Sequence, residues 1–201
     1  MNEPFSVGIH AAKRTNMQPG STLAVLGVGP VGLMSIVAGK AFGAREIIAV
    51  DLEPIRLEAA RKMGATHTIN AREEDTVARI KALTREGVDV AFETAGSGKA
   101  LQNALASLKS GGKLAIIGLP PQDEIALNVP FIAAKEIDIF GIYRYANTYP
   151  QGITFLSSGS TDLNAMITDR YPLEQTQEAM TNASVNKSSS VKSIVYPNGF
   201  Y

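Results

Sequence analysis

The stretch LAVLGVGPVG, residues 23–32, constrains the fold more than any other part of this 201-residue chain. Residues 23–26 have the length and composition of a buried strand. Glycines 27, 29 and 32 follow with G-x-G-x-x-G spacing, and an apolar segment of helical length, 31–41, comes next. In that context each glycine has its own physical role. Gly27 permits a tight turn, Gly29 lets a diphosphate approach the backbone, and Gly32 lets the helix pack close to the strand. Unpaired amides and a partial positive charge at the helix start then attract the diphosphate. Pro30 fits the first turn, where no amide bond is needed. The competing reading is a glycine turn that only joins a strand to a helix.

The same alternation continues along the chain. Strands are predicted at 47–50, 66–69, 88–92, 113–117, near 125–127 and at 137–142. Helices are predicted at 54–63, 73–83, 99–108 and near 129–135. Continuous apolar strands separated by helices require a parallel sheet covered on both faces. Right-handed crossovers then give an α/β, doubly wound (Rossmann) architecture. Beyond a predicted helix at 149–156 and a loop at 157–160, the pattern changes to an extended stretch at 165–171, a helix at 173–182 and a strand at 191–196. The expected organisation is a dinucleotide-binding domain, 1–158, with a C-terminal extension, 159–201. About forty residues are too few for an independent core, so the extension must pack on the main domain, a second chain or an absent domain.

Asp51 closes the second predicted strand, 19 residues after Gly32. A spacing of about 20 suits the acid that accepts hydrogen bonds from the adenine ribose. A carboxylate there repels a 2′-phosphate, which favours NAD over NADP. Asp51 could instead cap the helix that begins at Pro54, and the two roles are compatible. Arg56 lies within reach of the adenosine end or stands as an exposed helical cation. Thr94 ends another strand and either touches the nicotinamide or caps the turn TAGSG.

Composition removes several alternatives. Lys and Arg together equal Asp and Glu, so no basic stripe gathers phosphates and nucleic acid is not an expected partner. Cysteine is absent, which excludes disulfides, catalytic thiols and sulfur-ligated zinc. His10, on a predicted helix, and His67, opening a strand, are far apart in sequence and read as structural in preference to a zinc pair. No metal is expected on this chain. The start, MNEPFSVGIH, lacks the cationic-then-apolar pattern of a signal peptide, and glycines and a proline interrupt the most apolar stretch. A soluble cytoplasmic protein without membrane contact is the expectation.

Beyond these features, EPFSVGIHA, GVGPVG, IIAVD and RYANTYPQGI resemble the zinc-dependent medium-chain dehydrogenases, most closely their sorbitol (L-iditol, xylitol) branch. The likeness runs through nearly the whole chain, but it corresponds only to the later part of a family member. The zinc-bearing N-terminal domain has no counterpart. The resemblance implies NAD as coenzyme, zinc in the intact family enzyme, and a polyol as substrate. It implies that Glu3 lies beside the zinc-bound water and substrate. Val31, Asp51 and Arg56 would touch the coenzyme, and the backbone of Ile117, Gly118 and Leu119 would lie along the nicotinamide ribose. Ile142, Tyr143 and Arg144 would make the last coenzyme contact, with Arg144 and Tyr145 on the substrate side. It also implies a homodimer, or a higher oligomer, joined through the edge strand 137–142. Read without the resemblance, Arg144 has a second reading as a surface charge, and Glu3 is equally a terminal carboxylate. A stand-alone NAD sensor is the rival function, and a methyltransferase-like adenosine binder is a third. GPVG opening a helix suits a diphosphate better than the ligand of that third class.

Overall fold

A computed structural model describes residues 1–199. Its centre is a six-stranded, wholly parallel sheet in the order β3-β2-β1-β4-β5-β6. The strands are β1 (Thr22–Leu26), β2 (Glu46–Asp51), β3 (His67–Asn70), β4 (Val88–Glu93), β5 (Leu108–Ile116) and β6 (Asp138–Gly141). This is the doubly wound order, in which the chain reverses direction at β1 and leaves a crevice beyond the carboxyl ends of β1 and β4. Alternate residues of each central strand serve opposite layers. Leu23, Val25, Ile47, Ala49, Val90 and Phe92 join one core. It is covered by α1 (Asn2–Arg14), α2 (Pro30–Ala41) and α3 (Pro54–Met63). Ala24, Leu26, Ile48, Val50 and Ala91 join the other, under α4 (Thr76–Thr84), α5 (Gly98–Ala106) and α6 (Val129–Ala134). Burial on both faces is why these strands are apolar throughout instead of alternating.

Local chemistry sets the ends of the elements. Pro54 opens α3, and Gly64, left-handed with φ 117°, ends it. Asp75 caps α4 by accepting the Ala78 amide, so that helix starts three residues after the predicted 73. At the amino ends of β1 and β4, Asp89 Oδ2 accepts both the amide and the hydroxyl of Thr22 at 2.7 Å. Strand β5 begins at Leu108, earlier than predicted, with a register shift where it pairs with Val88 and Val90.

Two expectations require correction. No strand forms at 125–127. Ile125 and Leu127 instead pack against the second core, and Ala126 O accepts a hydrogen bond from the Gln102 side chain of α5. Their alternation reflects cover for a helix, a demand that apolar spacing alone does not separate from sheet pairing. The extended stretch at 165–171 is also divided. Leu163–Met166 is a 3-10 turn capped by Asp162, and only β7 (Asp169–Pro172) is strand. It pairs in parallel with β8 (Ser193–Tyr196) across α8 (Thr176–Val185), giving a small βαβ unit.

The extension is tied to the main body. Met166 and Val191 are buried in the first core, and Lys40 of α2 donates to Ser160 O. The amino-terminal helix α1 lies on α2, where a Cβ on Gly8 would stand 2.9 Å from Ser35 Cα. It also meets α7 (Tyr149–Ser157), with Phe5 and Phe155 ring centroids 5.4 Å apart.

Candidate coenzyme site

Because the sheet is parallel, the carboxyl ends of all six strands share one edge, and the implicated residues fall there. Gly27 follows β1, Asp51 ends β2, Thr94 follows β4, Ile117 follows β5 and Ile142 follows β6. A cavity of about 390 Å³ opens at this edge. Gly27, Gly29, Asp51, Arg56 and Thr94 contribute to its wall.

The three glycines stand in different surroundings. Gly27 has φ +93°, and a Cβ there would stand 2.6 Å from the Ala95 backbone. A Cβ on Gly32 would stand 2.0 Å from Gly27 O, so only glycine lets α2 approach the turn. Gly29 differs from both. Its φ of −67° suits any residue, and a Cβ there would meet no atom of the described residues within 4 Å. The space above Gly29 is therefore open beside a helix start that no side chain caps. The first bond within α2 runs from Leu33 N–H to Gly29 O, which leaves the Val31 and Gly32 amides without helical partners.

Asp51 is 8% exposed and held by three backbone amides. Its Oδ2 accepts Val28 N–H at 2.7 Å. Its Oδ1 accepts Leu52 N–H at 2.8 Å and Glu53 N–H at 3.0 Å. It thus locks the glycine turn to the end of β2, with acceptor capacity to spare. Glu53, not Asp51, occupies the N-cap position of α3, so the capping alternative for Asp51 falls away. Arg56 Nη1 stands 3.8 Å from Asp51 Oδ1, and its buried Nε has no partner among the described residues. The Thr94 hydroxyl donates to the carbonyls of Leu26 and Gly27, bracing the turn from the β4 side. It does not cap α5, where the Ser97 side chain accepts the Ala100 amide.

Farther along the edge, Ile117 is buried, Gly118 half-buried and Leu119 exposed. Ile142 is buried, Tyr143 and Arg144 are exposed, and the Arg144 guanidinium lies 5.3 Å from the Tyr143 ring centroid. Tyr145 is half-buried, its ring 5.3 Å from that of Tyr149. The Asn2 side chain donates to Tyr149 O at 3.2 Å, bringing the first turn of α1, with Glu3, up to this group. The hydrogen bond with Tyr145, assisted by the Glu3 charge, holds the Tyr149 phenol above the ordinary tyrosine value. The Tyr145 hydroxyl and the Glu3 charge thus both act on Tyr149. Tyr149 lies within the RYANTYPQGI motif, and Glu93 is a buried carboxylate at the end of β4; no spacing in the sequence marks either one.

The residues present do not fit a zinc centre. His10 sits on α1, where burial and the charges of Arg14 and Lys13 lower its pKa, and His67 sits on β3. Among the described residues no group of three or more His, Cys, Asp or Glu is placed to hold a metal. Nor, among them, is any helix long and apolar enough to cross a membrane.

Comparison with known proteins agrees with this geometry. Residues 30–158 match the family model described as zinc-binding dehydrogenase. The chain is 65% identical over 197 residues to sorbitol dehydrogenase of Bacillus subtilis (strain 168), covering 98% of this chain and 56% of that protein. It is 39% identical over 180 residues to L-idonate 5-dehydrogenase of Vitis vinifera, covering 87% and 49%. A crystal structure of a zinc-binding dehydrogenase from Sinorhizobium meliloti 1021, bound to NADP, superposes with a TM-score of 0.91 at 26% identity, covering 98% and 58%. The chain spans about half the length of the curated relatives it matches. With its fold, its glycine turn and this likeness in agreement, the chain belongs to the zinc-binding dehydrogenase family, on the sorbitol dehydrogenase branch.

Proposed function

We propose that this chain binds NAD and forms the coenzyme-binding part of a cytoplasmic oxidoreductase that moves a hydride between NAD and a secondary alcohol of a polyol. The observation that carries the coenzyme reading is the open space over Gly29, with free α2 amides on one side and the immobilised Asp51 carboxylate on the other. The α2 amides bind the diphosphate, and the Asp51 oxygens receive the ribose hydroxyls. When bound, the nicotinamide supplies the hydride acceptor. Glu3, Arg144 and Tyr145 border the substrate. Tyr149 orients Tyr145, and the loops at 117–119 and 142–144 line the nicotinamide side. The names of the relatives, dehydrogenases of sorbitol and L-idonate, support the polyol class and an enzyme over a sensor. Zinc belongs to the intact family enzyme, and no step is assigned to it on this chain.

A 2′-phosphate would be driven against the Asp51 carboxylate, so NAD is expected to bind at least about tenfold tighter than NADP, a gap of about 1.4 kcal/mol. Calorimetric titration of both nucleotides checks this. Asp51→Ala should narrow the gap, and equal affinities in the unaltered chain would remove the assignment of Asp51.

The division into 1–158 and 159–201 is part of the same proposal. Leu173, Met180 and Val185 of the extension are exposed apolar side chains, which supports packing against a further domain. A homodimer through β6 is also proposed. That strand is the last of the sheet and presents Ile139 at an unpaired edge. Light scattering at micromolar concentration should return twice the chain mass, and Ile139→Lys should halve it. A monomer in the unaltered chain counts against this interface.

A further inference from the structure

One buried acid has no role in the site as described. Glu93, at the end of β4, is 1% exposed. Its Oε1 accepts the amides of Ala95 at 2.9 Å and Gly96 at 2.8 Å, in the loop that leads to α5. Its main-chain carbonyl accepts the amides of Ile117 and Gly118, both at 2.9 Å, in the loop after β5. A Cβ on Gly118 would stand 2.6 Å from Glu93 Oε2 and 2.2 Å from Gly96 N, so the two loops close directly upon the carboxylate. Burial raises the Glu93 pKa, and the backbone amides of Gly96, Ala95, Ser97 and Gly118 pull it back. Burying a carboxylate on amides alone is costly, and a neutral side chain would fill the space at less expense. A fold that retains such a group is using its acceptor capacity.

The position of Glu93 says for what. With the adenosine held at Asp51 on β2 and the diphosphate at the start of α2, the other half of a dinucleotide must cross β1 toward the ends of β4 and β5. The loops that Glu93 ties together lie there. We propose that Glu93 is a positioning residue for the nicotinamide half of the coenzyme site, fixing the loops at 94–97 and 117–119 relative to one another. The inference rests on the dinucleotide reading above.

The test compares NADH with AMP, which carries only the adenosine half, on the 201-residue chain. Nicotinamide fluorescence follows NADH, and calorimetry follows AMP. Glu93→Gln replaces the charged acceptor of the Ala95 and Gly96 amides with a neutral one and weakens the junction. NADH should bind at least about tenfold more weakly, while AMP affinity stays within about twofold. Gly118→Ala, which forces a methyl group into the same junction, should show the same split and decides the matter if Glu93→Gln fails to fold. Unchanged NADH affinity in the variants, or equal losses for both ligands, overturns the inference. Failure of the unaltered chain to bind either ligand overturns the dinucleotide reading itself, and is distinguishable because it needs no variant.

Discussion

Gly29→Val is expected to weaken NADH binding by at least about 100-fold, close to 2.7 kcal/mol, while lowering stability by less than about 1 kcal/mol. The reason lies in what surrounds this position. Its backbone angles are open to any residue and a Cβ meets nothing among the described residues, so the fold itself does not demand glycine there. The branched side chain would instead occupy the space over the α2 amides where a diphosphate must approach. Gly32→Ala provides the contrast. Its methyl group would stand 2.0 Å from Gly27 O, which forces the helix and turn apart at a cost of about 1–3 kcal/mol. Binding and melting temperature should therefore fall together at Gly32 and separately at Gly29. Fluorescence titration and thermal unfolding of the two variants check this. A Gly29→Val chain that binds NADH normally would leave the open space without a ligand.

The second large effect concerns chemistry. The 201-residue chain is expected to hold no stoichiometric zinc and to oxidise sorbitol at no measurable rate, even with zinc and NAD added. Catalytic zinc draws three protein ligands at about 2 Å. Here His10 and His67 lie on different elements, and no cluster of donors joins them among the described residues. Without a metal or a placed base, the alcohol keeps its proton and hydride transfer has little driving force. Elemental analysis, followed by the rate of NADH formation at 340 nm, checks this. Stoichiometric zinc with turnover near about 10 per second, the median for enzymes, would overturn it and would place an active site within residues assigned to the scaffold. NADH binding should persist in the same sample, because the glycine turn and Asp51 are joined within one βαβ unit.

Residues 22–93 were legible almost element by element, because the signals there are local. An apolar strand, a glycine turn, a helix opened by proline and a strand ended by aspartate each follow from backbone sterics and burial over a few neighbouring residues. The glycine fingerprint and Asp51 could be paired from spacing alone, because the βαβ unit fixes the geometry between them. Other features depended on contacts between distant parts of the chain. Ile125 and Leu127 alternate as a strand would, yet they cover α5, and only the packing of the 121–128 segment on that helix decides this. The Thr94 hydroxyl meets the carbonyls of Leu26 and Gly27, 68 and 67 residues away, a contact that neither of its readings in the sequence contains. Tyr149 joins Glu3 and Tyr145 because α1 and α7, more than a hundred residues apart, pack side by side. Glu93 reads in sequence as an acid at a strand end. Its burial, and its hold on two loops that no spacing rule connects, exist only once β4 and β5 lie in register. Periodicity records which face of an element is buried, and the sequence determined that much. Which partner buries it, and which polar groups are left to share the same enclosed space, was decided by the tertiary structure.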